Sequence, residues 1–391
     1  MKSTTFSSDK HNPQIQSEDL LKSYRGLSNS IEERIQATVS CHDMDYVPRV
    51  ENAGKIISVN GNNVQIMHNG VYVEEAGYQG KWQEKVIKQL RGAHEPQEEK
   101  VFNEALKLIE PGATMIELGS WWCYYSLWFL KTVKDGKAIC CEPDPENIKL
   151  GKTNMRLNGY ATPKDMVFLQ AAAGSEDGET IEFLTEKRKL VKVPIRSVDS
   201  LLEEMKVDEV EILHMDIQGA ELDALKGARK SIRSGKIRFI FVSTHHYSIA
   251  GDPNIHQRCL NFILRNGGYI VAKHTIAESC SGDGLIVASF RDSDKDFKVK
   301  ISYYPTDESL FRPVEADLNI LWNAHNKILH RLQSVEQSLH TVEQSLHIEK
   351  LSREDEKAQL AWIHKHPARF LIANTYHVYI KRDRSKPRSS A

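Results

Sequence analysis

Between residues 114 and 290 the chain alternates short, continuously apolar runs with longer stretches whose apolar positions recur every three or four residues. The first kind, at 114–118, 138–142, 166–172, 210–217, 238–245, 269–274 and 285–290, predicts strands. Helices are predicted in the gaps at 124–133, 145–158, 220–234 and 254–266. Strands that are apolar throughout and separated by helices belong to a parallel sheet covered on both faces. The segment HTIAESCSGDG before Leu285 has no room for a crossover helix, so the last two strands are expected to pair antiparallel. The expected architecture is a seven-stranded α/β sheet, six strands parallel and the last antiparallel.

The flanks are patterned differently. Residues 1–45 are polar and weakly periodic and read as a flexible arm. In 46–94, KIISV and VQIM around an Asn-Gly turn, followed by VYVEE, predict a two-stranded element and then a helix, a cap or substrate region. A helix opening the 95–290 domain carries Pro96 in its first turn, with Val101, Phe102, Ala105, Leu106 and Ile109 at helical spacing, and stops at Pro111-Gly112. The stretch TIEFLTEKRKLVKVPIRSVD reads as an extra hairpin between the third and fourth strands. After a linker at 291–315, the run SVEQSLHTVEQSLH repeats seven residues. Its seam of Leu318, Leu321, His325, Ile328, Leu332, Val335, Leu339, Val342 and Leu346 alternates spacings of three and four. That pattern predicts either a coiled coil over 316–362, through which the chain forms a homo-oligomer, or one amphipathic helix on its own domain. The tail 363–391 joins an apolar run to a basic cluster with Asp383 as its single acid. It suits either solvent or peripheral contact with an anionic membrane surface.

Composition narrows the function. A net charge of -1 over 391 residues argues against a nucleic-acid partner, whose phosphates call for clustered Lys and Arg. Six cysteines in so long a chain make no disulfide framework and favour a reducing compartment. The first residues lack the apolar run of a signal peptide, and no stretch approaches the roughly 20 apolar residues of a membrane span. A cytoplasmic protein is expected, at most peripheral at the inner membrane surface.

The candidate chemistry gathers at strand ends. ATMIELGSWWCYYSLWF places one glycine, Gly119, after the first strand. A dinucleotide fold needs Gly-x-Gly-x-x-Gly there to admit a pyrophosphate, and Trp121, Trp122 and Cys123 crowd that space. S-adenosylmethionine, which carries no phosphate, fits better. Its ammonium suits an acid near Glu117, its carboxylate suits N–H groups of a loop that includes Ser120, and its cation tolerates rings such as Tyr125. In CCEPDPENI, Glu142 is placed to accept both ribose hydroxyls, while Pro143, Asp144 and Pro145 start the next helix. The small residues of QAAAGS, Ala171 and Ala172 among them, leave a slot for adenine. Glu98, in HEPQEE, stands where it can fold over the cofactor.

ELGSWWCYYS, EPDPENIKLGKTNMRLNG, QAAAGSEDGE and above all MDIQGAELDALKGA together resemble the FkbM-type methyltransferases, over about residues 95–290. That family's first loop usually reads Asp-x-Gly-Ala-Asn-x-Gly; here Glu117 replaces Asp and Cys123 replaces the second glycine. The resemblance implies a Rossmann-like seven-stranded fold, S-adenosylmethionine as methyl donor, and a small-molecule or glycan hydroxyl as acceptor. An alcohol must lose a proton as it is methylated, so a base is expected. Asp216, His245 and His246 are the candidate catalytic residues, at the ends of the fourth and fifth strands. His, Asp and Glu in one cleft are compatible with a divalent cation, but their spacing matches no closed metal signature and implies none. Two rivals remain at this stage: a methyltransferase acting on protein or nucleic acid, and a scaffold whose degenerate loop holds no cofactor.

Overall fold

The computed structural model describes residues 31–160, 164–185, 189–305, 315–371 and 374. It divides into two units, Met1–Asn319 and Ile320–Ala391. The first unit begins with α1 (Ile31–Val39) and an antiparallel sheet of β1 (Ile56–Val59), β2 (Asn62–Ile66) and β3 (Tyr72–Glu74). Asn60 and Gly61 join β1 to β2 with φ of 49° and 79°, the conformation a two-residue hairpin favours. Helices α2 (Lys81–Gln89) and α3 (Pro96–Leu106) follow.

The main sheet holds β4 (Thr114–Leu118), β5 (Lys137–Cys141), β6 (Met166–Leu169), β10 (Val210–Met215), β11 (Ile237–Thr244), β12 (Tyr269–His274) and β13 (Gly284–Ser289). Their order is β12-β13-β11-β10-β4-β5-β6. β13 runs antiparallel to both β11 and β12, and the ladders among β11, β10, β4, β5 and β6 are parallel. Each strand feeds two cores: Met115, Phe239 and Phe241 pack on one face, Ile116, Ile240 and Val242 on the other. A second small sheet, ordered β7-β9-β8, is built from β7 (Ala172–Ala173), β8 (Gly178–Leu184) and β9 (Leu190–Arg196). The remaining helices of this unit are α4 (Tyr124–Thr132), α5 (Pro145–Leu157), α6 (Val198–Glu204), α7 (Glu221–Gly227), α8 (Arg229–Arg233), α9 (Tyr247–Ala250) and α10 (Ile255–Arg265). Strand order reverses between β10 and β4, which places a ligand crevice at their carboxyl ends.

Several segments differ from expectation. Residues 31–45 are not an arm: α1 buries Ile35, Met44 joins the core, and Asp43 accepts from Ser302 N–H at 2.8 Å and Lys100 at 3.0 Å. A helix of nine residues with three buried positions is too short for its periodicity to stand out from polar flanks. VYVEE supplies a third strand to the hairpin. The run expected as one strand at 166–172 divides between the main and small sheets, and the helix expected at 220–234 breaks at Ala228. Of the expected linker, 291–305 lies on the domain, with Ile301 buried and Val299 N–H bonded to Val271 O at 3.1 Å.

The heptad segment forms one helix, α11 (Glu315–Lys365). Leu332, Val335, Leu339, Val342 and Leu346 are each more than half exposed along it. Among the described residues no helix is long and apolar enough to cross a membrane. Most of the N-terminal arm, 1–30, and most of the basic tail, 375–391, lie outside the described residues.

Candidate active site

The first turn is shaped by one contact. Gly119 has φ of 74°, and a β-carbon on it would stand 2.0 Å from the Asp216 carbonyl oxygen. Only glycine fits there. Beyond it, Trp121 and Cys123 hold φ of 37° and 61°, left-handed geometry that costs a non-glycine residue roughly 1–2 kcal/mol. Glu142, at the end of β5, pins the turn: its Oε2 accepts Trp121 N–H at 3.0 Å and its Oε1 accepts Asp144 N–H at 2.9 Å. Burial pushes the Glu142 carboxyl up to about 7, against the pull of those bonds. Asp144 caps α5 by accepting Glu146 N–H at 2.8 Å.

A cavity of about 340 Å³ opens beside this turn. Gly119, Trp121, Glu142 and Asp216 line one part of it, and Pro143 with the alanines 171–173 another. Ile181, Phe183 and Leu184 of β8 close a further side. An acid at the end of β5, an apolar slot and an anion at the end of β10 suit the ribose, base and amino-acid parts of S-adenosylmethionine.

Asp216 also belongs to a second group. His245, leaving β11, turns Nδ1 to Glu221 Oε1 at 2.8 Å and Nε2 to Asp216 Oδ1 at 3.0 Å, with Asp283 Oδ1 at 3.8 Å. Burial disfavours an imidazolium, but Asp283, Asp216 and Glu221 outweigh it and hold His245 well above the ordinary histidine range. Asp216 stays ionised: burial opposes its charge, and the His245 hydrogen bond keeps its carboxyl below the usual range. Asp283 moves the other way, pushed up to about 7 by burial against the attraction of His245. Two acids around one cation are thus driven apart, the separation that distinguishes proton acceptor from fixed anion.

Below this group, His94 lies 2.7 Å from Glu99 Oε1 and 3.3 Å from Glu95 Oε2. Burial works against its charge, yet the two carboxylates raise it to about 10. Tyr78 stacks on Trp122 with centroids 4.4 Å apart and meets Trp121 edge-on at 4.9 Å. Side-chain exposures of 15% for Glu95, 31% for Asp216 and 34% for Asp283, against 4% for His245 and 0% for Glu221, leave the first three open to a solute.

Of the residues expected around the cofactor, Gly119, Glu142, Pro143, Asp144, Ala171, Ala172 and Asp216 line the cavity; Glu98, Glu117, Ser120 and Tyr125 do not. Glu117 instead accepts from the Ser126 N–H at 3.1 Å and the Ser126 hydroxyl in the first turn of α4, and burial pushes it up to about 7. Glu98 binds His214 Nε2 at 2.7 Å and Ser243 Oγ at 2.8 Å. Tyr125 donates to Glu95 at 3.3 Å, and Ser120 is buried. His245 joins the carboxylates, while His246 packs on the Tyr247 ring at 4.3 Å. Among the described residues, one trio has ligand atoms close enough for a metal, Glu117, Cys123 and Cys140, and it is buried away from the cavity lining.

Asp283 and Glu95 escaped the sequence reading. Asp283 precedes β13, and an antiparallel strand begins at the edge where its parallel neighbours end. The expected antiparallel pairing is therefore the signal that leads to it. No comparable pattern marks Glu95.

No curated protein matches the chain. Among solved structures it is similar to an O-methyltransferase from Bacillus cereus in complex with SAH, at 12% identity over 49% of this chain and 80% of that one, with a TM-score of 0.34. It is also similar to precorrin-6y C5,15-methyltransferase from Geobacter metallireducens, at 9% identity over 49% of this chain and 87% of that one, with a TM-score of 0.32. Residues 92–271 match the family model of the methyltransferase FkbM domain. The chain contains an FkbM methyltransferase domain and is an S-adenosylmethionine-dependent methyltransferase.

Proposed function

We propose that the acceptor is an uncharged, polyhydroxylated molecule, a sugar or glycan or a comparable secondary metabolite, methylated on oxygen. The observation that carries this reading is the set of three reachable carboxylates, Glu95, Asp216 and Asp283, with Asp216 and the Trp121 ring lining the cofactor cavity. Carboxylates accept hydrogen bonds from hydroxyls, aromatic faces pack against C–H groups, and a negative cleft repels phosphates.

When bound, S-adenosylmethionine supplies an electrophilic methyl group. Glu142 holds the ribose hydroxyls, and Gly119 lets the backbone come close. Asp216, fixed by the His245 imidazolium, accepts from a neighbouring hydroxyl of the acceptor and so aims the reacting oxygen, whose own O–H donates to Asp283. Asp283, at about 7, takes the proton as the new C–O bond forms, because its basicity is matched to neutral pH. His245 is already protonated, so it acts as a cation held by Glu221 and not as the base. Alignment of oxygen and methyl supplies much of the acceleration.

The near-neutral net charge and the acidic cleft support a protein without a nucleic-acid partner, and six buried free thiols support the cytoplasm. The exposed seam of α11 supports self-association: Arg331 and Glu336 flank it at the spacing that pairs charges across two parallel helices. The acceptor reading is tested by incubating the protein with isotopically labelled donor and neutral glycosides, their phosphorylated counterparts, or peptides and RNA. Label on the neutral glycosides is expected; label confined to phosphorylated, peptide or RNA acceptors refutes it.

A further inference from the structure

We infer that a second cavity, walled by α8 and α10, binds the phosphate groups of a small ligand, with a diphosphate as the best match. The cavity measures about 350 Å³ and shares no lining residue with the donor cavity. Arg229, Arg233, Arg258 and Arg265 line it, and no acid does. In a chain of net charge -1 this is a concentrated excess of positive charge. The carboxylates beside the donor cavity repel phosphate, whereas this recess attracts it.

Helical spacing produces the arrangement. Arg229 and Arg233 stand four residues apart in RKSIR, and Arg258 and Arg265 seven apart in RCLNFILR. Each pair therefore shares one face of its helix. Leu222 of α7 and Phe262 of α10 are buried in one core cluster and give the cavity its apolar floor. An ordinary solvated helix face would spread its arginines over the surface, but here two helices bring theirs to the edge of one space.

Neighbours hold three of the four guanidiniums and leave donors open. Arg229 lies over the Phe262 ring, with its guanidinium carbon 5.2 Å from the centroid. Arg233 donates its Nε–H to Asn266 Oδ1 at 2.9 Å, and Asn266 donates to the Phe262 carbonyl at 2.8 Å. Arg258 pairs with Asp252, and among the described residues it alone of the four has an ion-pair partner. Four guanidiniums against one carboxylate leave three charges uncompensated. A phosphate monoester carries about −1.5 to −2, so a second phosphate brings the charges closer to balance. Planar guanidinium forks match phosphate oxygens, and side chains already held in place lose less freedom on binding.

The test is calorimetric titration of the full chain with inorganic pyrophosphate at low ionic strength, where one saturable site is expected. The paired Arg233→Gln and Arg265→Gln variant should weaken binding about tenfold or more, because hydrogen bonds to charged groups are the strong ones. Lys230→Gln removes a charge from α8 outside the lining and should stay within twofold of wild type. All three side chains are exposed, so the circular dichroism spectra are expected to match. Vesicles of phosphatidylcholine with phosphatidic acid separate the two sources of phosphate. Co-sedimentation that the paired variant loses assigns a lipid headgroup; co-sedimentation equal in both proteins assigns a soluble ligand. The assignment is overturned if the unaltered protein shows no saturable pyrophosphate binding, or if the paired variant binds within twofold of wild type. It is equally overturned if Lys230→Gln does the same damage, or if a polyglutamate peptide binds through these arginines and pyrophosphate does not.

Discussion

If Glu142 takes the ribose as proposed, donor binding depends on pH. Its carboxyl sits at about 7 because it is buried, with two backbone N–H bonds resisting the shift. The ionised form is the one that accepts ribose hydroxyls. A group titrating at about 7 is roughly one-tenth ionised at pH 6 and nine-tenths ionised at pH 8. If only the ionised form binds well, affinity for 5′-methylthioadenosine rises about tenfold from pH 6 to pH 8 and levels off above it. Binding at pH 6 also releases close to one proton, seen by calorimetry in buffers of different ionisation enthalpy. In Glu142→Gln the dependence disappears, and affinity stays near the acidic limit of wild type at every pH. A wild-type affinity constant within twofold across that range, or a Gln variant that keeps the slope, refutes the assignment of the ribose to this residue.

Asp216→Asn is expected to leave the circular dichroism spectrum unchanged and to lower methyl transfer by roughly 10²-fold, as misalignment of a reacting atom does; wild-type turnover rejects its role. With donor saturating at every pH, kcat/KM for the acceptor is expected to rise as pH passes about 7 in wild type and to lose that rise in Asp283→Asn; a variant with the inflection intact excludes Asp283 as the proton acceptor. Glu117, raised to about 7 by burial, contributes stability that is fully present below the pKa of the unfolded chain and is lost as pH rises from there through about 7. Glu117→Gln therefore raises the Tm at pH 8 and changes it little at pH 4; a larger gain in acid contradicts the sign. Paired Leu339→Asp and Val342→Asp substitutions on the exposed α11 seam should convert a self-associated protein to monomer in sedimentation experiments, and identical masses before and after dismiss the seam as a contact.

The strands at 114–118 and 269–274 could be read to the residue because Pro111-Gly112 and Gly267-Gly268 stand shortly before their mainly apolar runs and Gly119 directly follows the first. The position of β13 between β11 and β12 could not. Local pattern shows that the last two strands pair, but the ladder from β13 to β11 is a long-range choice made by packing on both faces. Within the site, Glu142 and Asp216 were legible because strand ends at a topological switch point face the crevice. Glu117 had two outlets, the cavity or the first turn of α4, and the unpaired N–H groups of that turn claimed it. Pairing of His245 with Glu221 depends on how the chain leaves β11, which strand alternation does not specify past the last paired residue. Residues 31–39 and Glu95 carry too little periodicity to be singled out.

The contact between Gly119 and the Asp216 carbonyl has a consequence for how this enzyme diverges. The seam between β4 and β10 is set by main-chain atoms, which substitution cannot exchange, so the donor half is locked against remodelling. Asp283 comes instead from the turn before β13, outside that main-chain contact. On the proposed reading, substitutions at Asp283 can change the acceptor end of the crevice while Gly119 and the Asp216 carbonyl keep β4 and β10 in place.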